Sequence, residues 1–340
     1  MGALGDLWNA YRWRRRRQRL IARALLKRRQ LRPVVDRTRD IRTGEILLFM
    51  TLRNEAHRLP YFLTHYRALG VQRFLVVDNG SDDGGPQMLA DQPDVSLWRT
   101  GASYRAARFG MDWVQALMMR HGHGHWCLCV DADELLVYPG HDTRPLPALT
   151  DWLESQGEEA LGALMLDLYP KGPLEAAQHR PGQDPTEVLG WYDRANYTIA
   201  RKEDLGALWI QGGPRSRMFL ADRPEKGPTL TKVPLVKWHW RHAWLNSTHS
   251  LLPRRLNRIY AEDGGEKLSG VLLHTKFLPG IATKSAEERQ RRQHFGAPGD
   301  FDAYYQALTA SPDLWTPAST PWRGWRQLEA EGLMSRGGWG

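Results

Sequence analysis

Residues 126–136, WCLCVDADELL, run apolar and then place Asp131, Asp133 and Glu134 within four positions. Two acids one residue apart can turn both carboxylates onto one hard divalent cation, directly or through water. Oxygen donors suit Mg²⁺ or Mn²⁺ and argue against Zn²⁺. A cation held in this way can bridge a diphosphate and neutralise charge as the diphosphate leaves. Asp-x-Asp alone is a weak signal, because short acidic turns are common, so the surrounding elements decide.

Those elements alternate. The run 46–55, ILLFMTLRNE, is apolar until Arg53, Asn54 and Glu55, as in a strand buried on both faces. Leu59, Phe62, Leu63 and Tyr66 share a helical face, with Gly70 placed to cap it. A second buried strand, RFLVVD, ends at Asp78 and Asn79 in a Gly-containing loop. A helix near 85–91, a strand at 95–98 and a helix over 105–120 come next, then the strand that meets Asp131. Strands alternating with helices predict βαβ units and a mostly parallel sheet. Open parallel sheets bind ligands beyond the carboxyl ends of their strands, so the three polar clusters are expected along one edge. Residues 160–169 read as a further strand, 170–232 as loops and short hairpins, 270–280 as a strand, and 285–296 as an exposed helix.

Other metal readings fit less well. A calcium EF-hand loop needs an oxygen ligand and then Gly where Leu135 and Leu136 stand. A haloacid-dehalogenase-type phosphatase also starts Asp-x-Asp after a strand, but Leu135 replaces the Thr or Val expected there, and Asp131 lies far into the chain. It remains the alternative enzyme. Histidines 121, 123 and 125 alternate with glycines and have no thiolate beside them, which reads as solvated loop rather than zinc site.

The charge is local. Of 47 basic residues, eleven fall within positions 12–32, a stretch with no acid. The rest of the chain is close to neutral. Residues 3–31 favour a helix closed by Pro33, with Leu4, Leu7, Trp8 and Tyr11 in one stripe. Such a basic amphipathic segment, residues 3–32, is expected at an anionic membrane surface; nucleic acid is the weaker expectation. No apolar run reaches 18 residues, so no membrane-spanning helix is expected, and no secretory signal is evident. Cys127 and Cys129 are the two cysteines, on one strand face, and read as core filler in a reducing compartment. The expected location is cytoplasmic, peripheral at the inner face of the cytoplasmic membrane.

The segments TLRNEAHRLPYFLTHYRALGVQRFLVVDNGSDDG, WCLCVDADELLVYPG and LLHTKF together resemble glycosyltransferase family 2, of the GT-A fold, and in particular a bacterial subgroup of family-2-like proteins. The resemblance covers about residues 45–295. It implies an α/β fold of GT-A type, with a basic arm at 1–40, a transferase domain at 41–300 and a C-terminal extension at 301–340. It implies metal-dependent, inverting transfer of a sugar from a nucleoside diphosphate donor, a UDP-sugar first among them. The acceptor would be a glycan or lipid-linked glycan of bacterial surface polysaccharide synthesis. The family's nucleotide pocket maps to Arg53, Asn54 and Glu55, and its base-contacting acid to Asp78. Asn79 stands where many members have a second acid. The metal motif maps to Asp131 and Asp133, with Asp133 the better direct ligand. A later histidine ligand maps to His274, with His249 as substitute and Lys276 facing the diphosphate. Arg105 or Arg108 would pair with a donor phosphate. Inversion requires a carboxylate to take the acceptor proton; Asp167 is the expected base, with Glu203 and Asp204 as alternatives. Trp191, Tyr192, Trp238, Trp240 and Trp244 fall in the region assigned to the acceptor. A non-catalytic nucleotide- or glycan-binding protein on the same fold is the alternative of another class.

Overall fold

Ile46, Leu47, Leu48, Phe49 and Met50 are each 1% exposed or less, and their alternation divides the core into two layers. Leu48 and Met50 join Phe62, Leu63 and Tyr66 on one face, while Leu47 and Phe49 join Trp113, Val114 and Leu117 on the other. A strand covered on both faces cannot alternate apolar with polar residues, which is why this run reads as continuously apolar.

The computed structural model describes residues 3–260, 267–291 and 302–340. In chain order the strands used below are β1 (Arg32–Val35), β2 (Leu47–Leu52), β3 (Arg73–Asp78), β4 (Val95–Arg99), β5 (Trp126–Cys129), β6 (Glu134–Val137) and β7 (Ala160–Asp167). They continue with the hairpin β8 (Tyr197–Lys202) and β9 (Ala207–Gly212), then β10 (Thr231–Lys237) and β11 (Ser269–His274). The helices are α1 (Ala3–Lys27), α2 (Leu59–Ala68), α3 (Gly85–Ala90), α4 (Met111–His121), α5 (Leu146–Ser155) and α6 (Gly213–Phe219). Beyond β11 come α7 (Ile281–Arg291), α8 (Asp302–Thr309) and α9 (Trp325–Ala330).

Nine strands form one sheet in the order β1-β4-β3-β2-β5-β10-β7-β11-β6. The pairs β2/β3, β3/β4, β2/β5 and β7/β11 are parallel. The pairs β1/β4, β5/β10, β7/β10 and β6/β11 are antiparallel. The expected mostly parallel sheet is therefore mixed. β10 inserts between β5 and β7 in the opposite sense, reached through a hairpin and short helix rather than a βα crossover. Following the pairings, β2, β3, β4, β5, β7 and β11 still share one direction. Helices flank both faces, which makes the arrangement α/β.

Two further expectations change. The helix over 105–120 begins only at Met111, because Arg108, Phe109 and Gly110 all have positive φ (53°, 57° and 77°) and break the turn before it. A Cβ on Gly110 would stand 2.7 Å from the Thr51 hydroxyl, so only glycine fits where α4 starts against β2. The flanking stretches are docked on the body. Leu20 of α1 is buried with Leu205, Ala207, Ala243, Leu245 and Leu252, and Ala24 is fully buried. Trp325, Leu328, Met334 and Trp339 belong to the main core. The exposed helix expected at 285–296 overlaps α7, and its remainder lies outside the described residues. Among the described residues, no helix is long and apolar enough to cross a membrane.

Candidate functional site

The six strands of common direction bring their carboxyl ends to one edge, and with them Arg53–Glu55, Asp78, Asp131–Asp133, Asp167 and His274. Register does the finer positioning. In the ladder His274 of β11 stands beside Asp167 of β7 on one side and Glu134 of β6 on the other.

The result is a chain of charged groups. Asp133 Oδ2 lies 3.2 Å from His274 Nε2, and His274 Nδ1 lies 2.5 Å from Asp167 Oδ1. Arg215, from α6, donates its Nε–H to the other Asp167 oxygen at 2.7 Å. The Asp167 and Arg215 side chains are almost wholly buried, while Asp133 keeps 25% of its side chain exposed at the open end. Burial opposes the Asp167 charge, but Arg215 and then His274 overcome it and hold the carboxyl at about 2, against an ordinary 3.8. Burial also opposes the Asp133 charge, yet His274 holds that carboxyl well below 3.8. Burial disfavours the His274 imidazolium, but Asp133 and then Asp167 outweigh it, so His274 titrates above its ordinary 6.5.

This geometry changes the part assigned to Asp167. Both its oxygens are engaged and its proton affinity is low, so it is poorly suited to take a proton from an acceptor. It is suited to hold His274 with Nε2 aimed at Asp133. A carboxylate behind an imidazole is the arrangement that orients a metal-binding histidine.

Glu134 also finds its place. Its carboxylate lies 2.8 Å from Lys232 Nζ, and both side chains are buried. Its other oxygen accepts the Asp131 N–H at 3.1 Å, closing the turn that carries the acids. Burial pushes the Glu134 carboxyl up and Lys232 pulls it back. Asp131 is 56% exposed and lies 3.4 Å from the same lysine. Lys232 and Arg215 were missed by pattern reading. The signal for Lys232 was available, since TKVPLV is an apolar strand with one charge on an inner position. A second clamp ties β11 to the acidic turn: Thr275 donates its N–H (2.7 Å) and hydroxyl (3.0 Å) to the Asp133 carbonyl. Arg58 in turn donates to the Thr275 carbonyl at 2.7 Å.

The residues mapped to the nucleotide side are mostly engaged with their own loops. Asp78 is fully buried, accepts the Ser81 N–H at 3.0 Å and pairs with Arg99 at 3.2 Å. Asn54, at φ 51°, accepts the Asp82 N–H at 3.0 Å, and Arg53 donates to the Asn79 carbonyl at 3.0 Å. Asn79 donates its amide to the carbonyls of Thr100 and Ala102. Glu55 lies between Arg58 (3.0 Å) and Lys284 (2.6 Å). Arg108 is turned to Asp112 and to the carbonyls of Trp244 and Leu245, away from a role on phosphate. Lys276 lies 5.7 Å from the Tyr304 ring centroid. His249 donates its Nδ1–H to the Thr231 carbonyl (2.7 Å), and burial lowers it to about 3. Glu203 is 82% exposed, near Arg201. Of the aromatics assigned to the acceptor, Trp238 and Trp244 stack on each other inside the core and Tyr192 is buried; Trp240 is exposed. A separate cleft of 370 Å³ is lined by Tyr61, His65, Leu135, His141 and Trp325, and by none of Asp131, Asp133 or His274.

Among the described residues, no group of three or more His, Cys, Asp and Glu stands ready to enclose a metal. Asp133 and His274 nonetheless suit one that is shared with substrate. Hard cations in such sites commonly take one or two protein ligands and fill the remaining positions with phosphate oxygens and water. Asp131 would reach that cation only on leaving Lys232.

The charge chain sets a pH dependence. A raised His274 contributes stability that is full below 6.5 and lost as pH rises through its folded value. Asp133 and Asp167, held low, contribute above 3.8 and lose it as pH falls through their folded values. The metal-free protein is therefore expected to melt at lower temperature as pH rises from about 6 to about 8. A proton on Nε2 competes with a cation, so added Mn²⁺ should raise the melting temperature more at the upper pH. Differential scanning fluorimetry across that range, with and without Mn²⁺, checks both signs.

No protein-family model matches the chain. The chain is 28% identical over 100 residues to a glycosyltransferase family 92 protein of rice (Oryza sativa subsp. japonica). That similarity covers 27% of this chain and spans 16% of the rice protein's length. Among solved structures, a 4-diphosphocytidyl-2C-methyl-D-erythritol synthase is similar at 18% identity over 42% of this chain and 67% of that one, with a TM-score of 0.26.

Proposed function

We propose that this protein is a metal-dependent inverting glycosyltransferase that moves a sugar from a nucleoside diphosphate donor, with UDP-sugars the first to test, to a glycan or lipid-linked acceptor. One observation carries the reading: Asp133 and His274, backed by Asp167 and Arg215, meet where the strands end. Mn²⁺ or Mg²⁺ held there would neutralise charge on the departing diphosphate. Asp133 supplies an oxygen, His274 an oriented nitrogen, and Asp167 keeps the His274 proton on Nδ1. Glu134 and Lys232 hold the turn that presents these groups. The partial likeness to a glycosyltransferase supports the same class. The acceptor base is left to an exposed carboxylate; Asp131 and Glu203 qualify by exposure.

A panel of nucleoside diphosphate sugars, differing in base and sugar, tests the reading through released nucleoside diphosphate. Turnover that requires Mn²⁺ or Mg²⁺ supports it. Hydrolysis of a simple phosphate ester without turnover of any sugar donor would replace it with the phosphatase reading. Nucleotide binding with neither reaction would leave a binding protein.

A further inference from the structure

Helix α1 has two different faces. Leu20 and Ala24 are buried against the body, with Trp13 beside them, and Arg23 reaches inward to Asp112 at 2.9 Å. At 3.6 residues per turn the opposite face carries Leu7, Trp8, Tyr11, Leu25 and Leu26. These are 68, 61, 51, 42 and 65% exposed, and they make up five of the nine large apolar side chains so exposed among the described residues. Soluble surfaces rarely gather apolar groups in this way without a partner. Trp8 and Leu26 are roughly 27 Å apart along the helix, so the two apolar groups mark its ends. Arg12 and Arg19 line one border of the face, Arg14 lies on the other and Arg15 stands within it; all four are exposed. No acid occurs between Asp6 and Asp36.

We infer that the outer face of α1 docks the protein flat on an anionic membrane surface. The apolar side chains enter the headgroup boundary while the bordering arginines, on long stems, reach lipid phosphates. Nucleic acid would satisfy the arginines but leave Leu7, Trp8, Leu25 and Leu26 with nothing to gain. A second copy would set two strongly basic faces against each other. The docked face of α1 fixes the body's orientation, and the hairpin β8–β9, through Leu205 and Ala207, lies against the same helix. The inference is independent of the transfer reading and is tested without it.

Flotation of the full chain is measured with phosphatidylcholine vesicles and with vesicles that also contain phosphatidylglycerol. Wild type should float with the anionic vesicles, less as salt is added, and remain behind with phosphatidylcholine alone. The double variant W8S/L26S should bind anionic vesicles at least about tenfold more weakly, from the loss of two large apolar anchors. Its melting temperature should be unchanged, because both side chains already face water. R12E/R19E should weaken binding as well. Unchanged flotation of W8S/L26S, or equal binding to both kinds of vesicle, overturns the proposal. So does a wild-type dimer that W8S/L26S dissolves, or duplex DNA that binds the helix in preference to anionic vesicles.

Discussion

Asp133→Ala should lower metal-dependent turnover by about 10³-fold or more, roughly 4 kcal/mol of transition-state stabilisation. The argument is local. Asp133 is the partly exposed end of the charge chain, 3.2 Å from His274 Nε2, and among the described residues no other carboxylate pairs with that nitrogen. The fold should survive, because Thr275 is held by the Asp133 main-chain carbonyl and alanine keeps that carbonyl. Loss of turnover should therefore be accompanied by loss of the Mn²⁺-dependent rise in melting temperature, with the metal-free protein still folded. Asp131→Ala should leave the Mn²⁺-dependent thermal shift largely intact, since the Asp131 carboxylate stands beside Lys232; a fall in turnover with that shift retained would mark Asp131 as the acceptor base. Released nucleoside diphosphate and a Mn²⁺ titration by thermal shift are the two measurements. A thermal shift that survives Asp133→Ala would remove the metal site from this edge.

Asp167→Asn should have a larger effect on stability and a different kinetic signature. It leaves the buried Arg215 guanidinium without its carboxylate, which costs about 3–5 kcal/mol, read by denaturant unfolding. It also slackens the hold on His274, and loss of such a partner typically weakens metal binding about 10–100-fold. If Asp167 is a positioning residue, turnover should recover substantially at saturating Mn²⁺. The rising limb of the pH profile should move to lower pH, because His274 loses one of the two carboxylates that raise it. If Asp167 instead takes the acceptor proton, turnover should remain about 10²–10⁴-fold low at any Mn²⁺ concentration. The amide occupies nearly the same volume, so the two readings separate on the metal dependence rather than on packing.

Much of the layered architecture was legible in the chain, for an identifiable reason. Strands buried on both faces must be apolar throughout, so ILLFM, FLVV and WCLCV declared themselves, and each ended where polar residues begin. The acid pair at 131 and 133 was legible because its spacing is local. The mixed pairing was not, since nothing within TKVPLV states that β10 will lie antiparallel between β5 and β7. Trp238 and Trp244 fall in the region assigned to the acceptor by position; burial makes them core.

The roles at the edge divide in the same way. By itself the sequence determined which residues are acids, that two of them stand one position apart after an apolar run, and that the arm is basic. Tertiary structure alone decided that His274 meets Asp167 and Asp133, because that depends on the register of β11 between β7 and β6, across more than a hundred residues of chain. It decided too that Lys232 takes Glu134 out of the reacting set, and that Leu7, Trp8, Tyr11, Leu25 and Leu26, rather than Leu20 and Ala24, are the large apolar residues of α1 left to solvent. Residue type and spacing are local properties, whereas proton affinity, accessibility and pairing are set by neighbours that only the folded chain supplies.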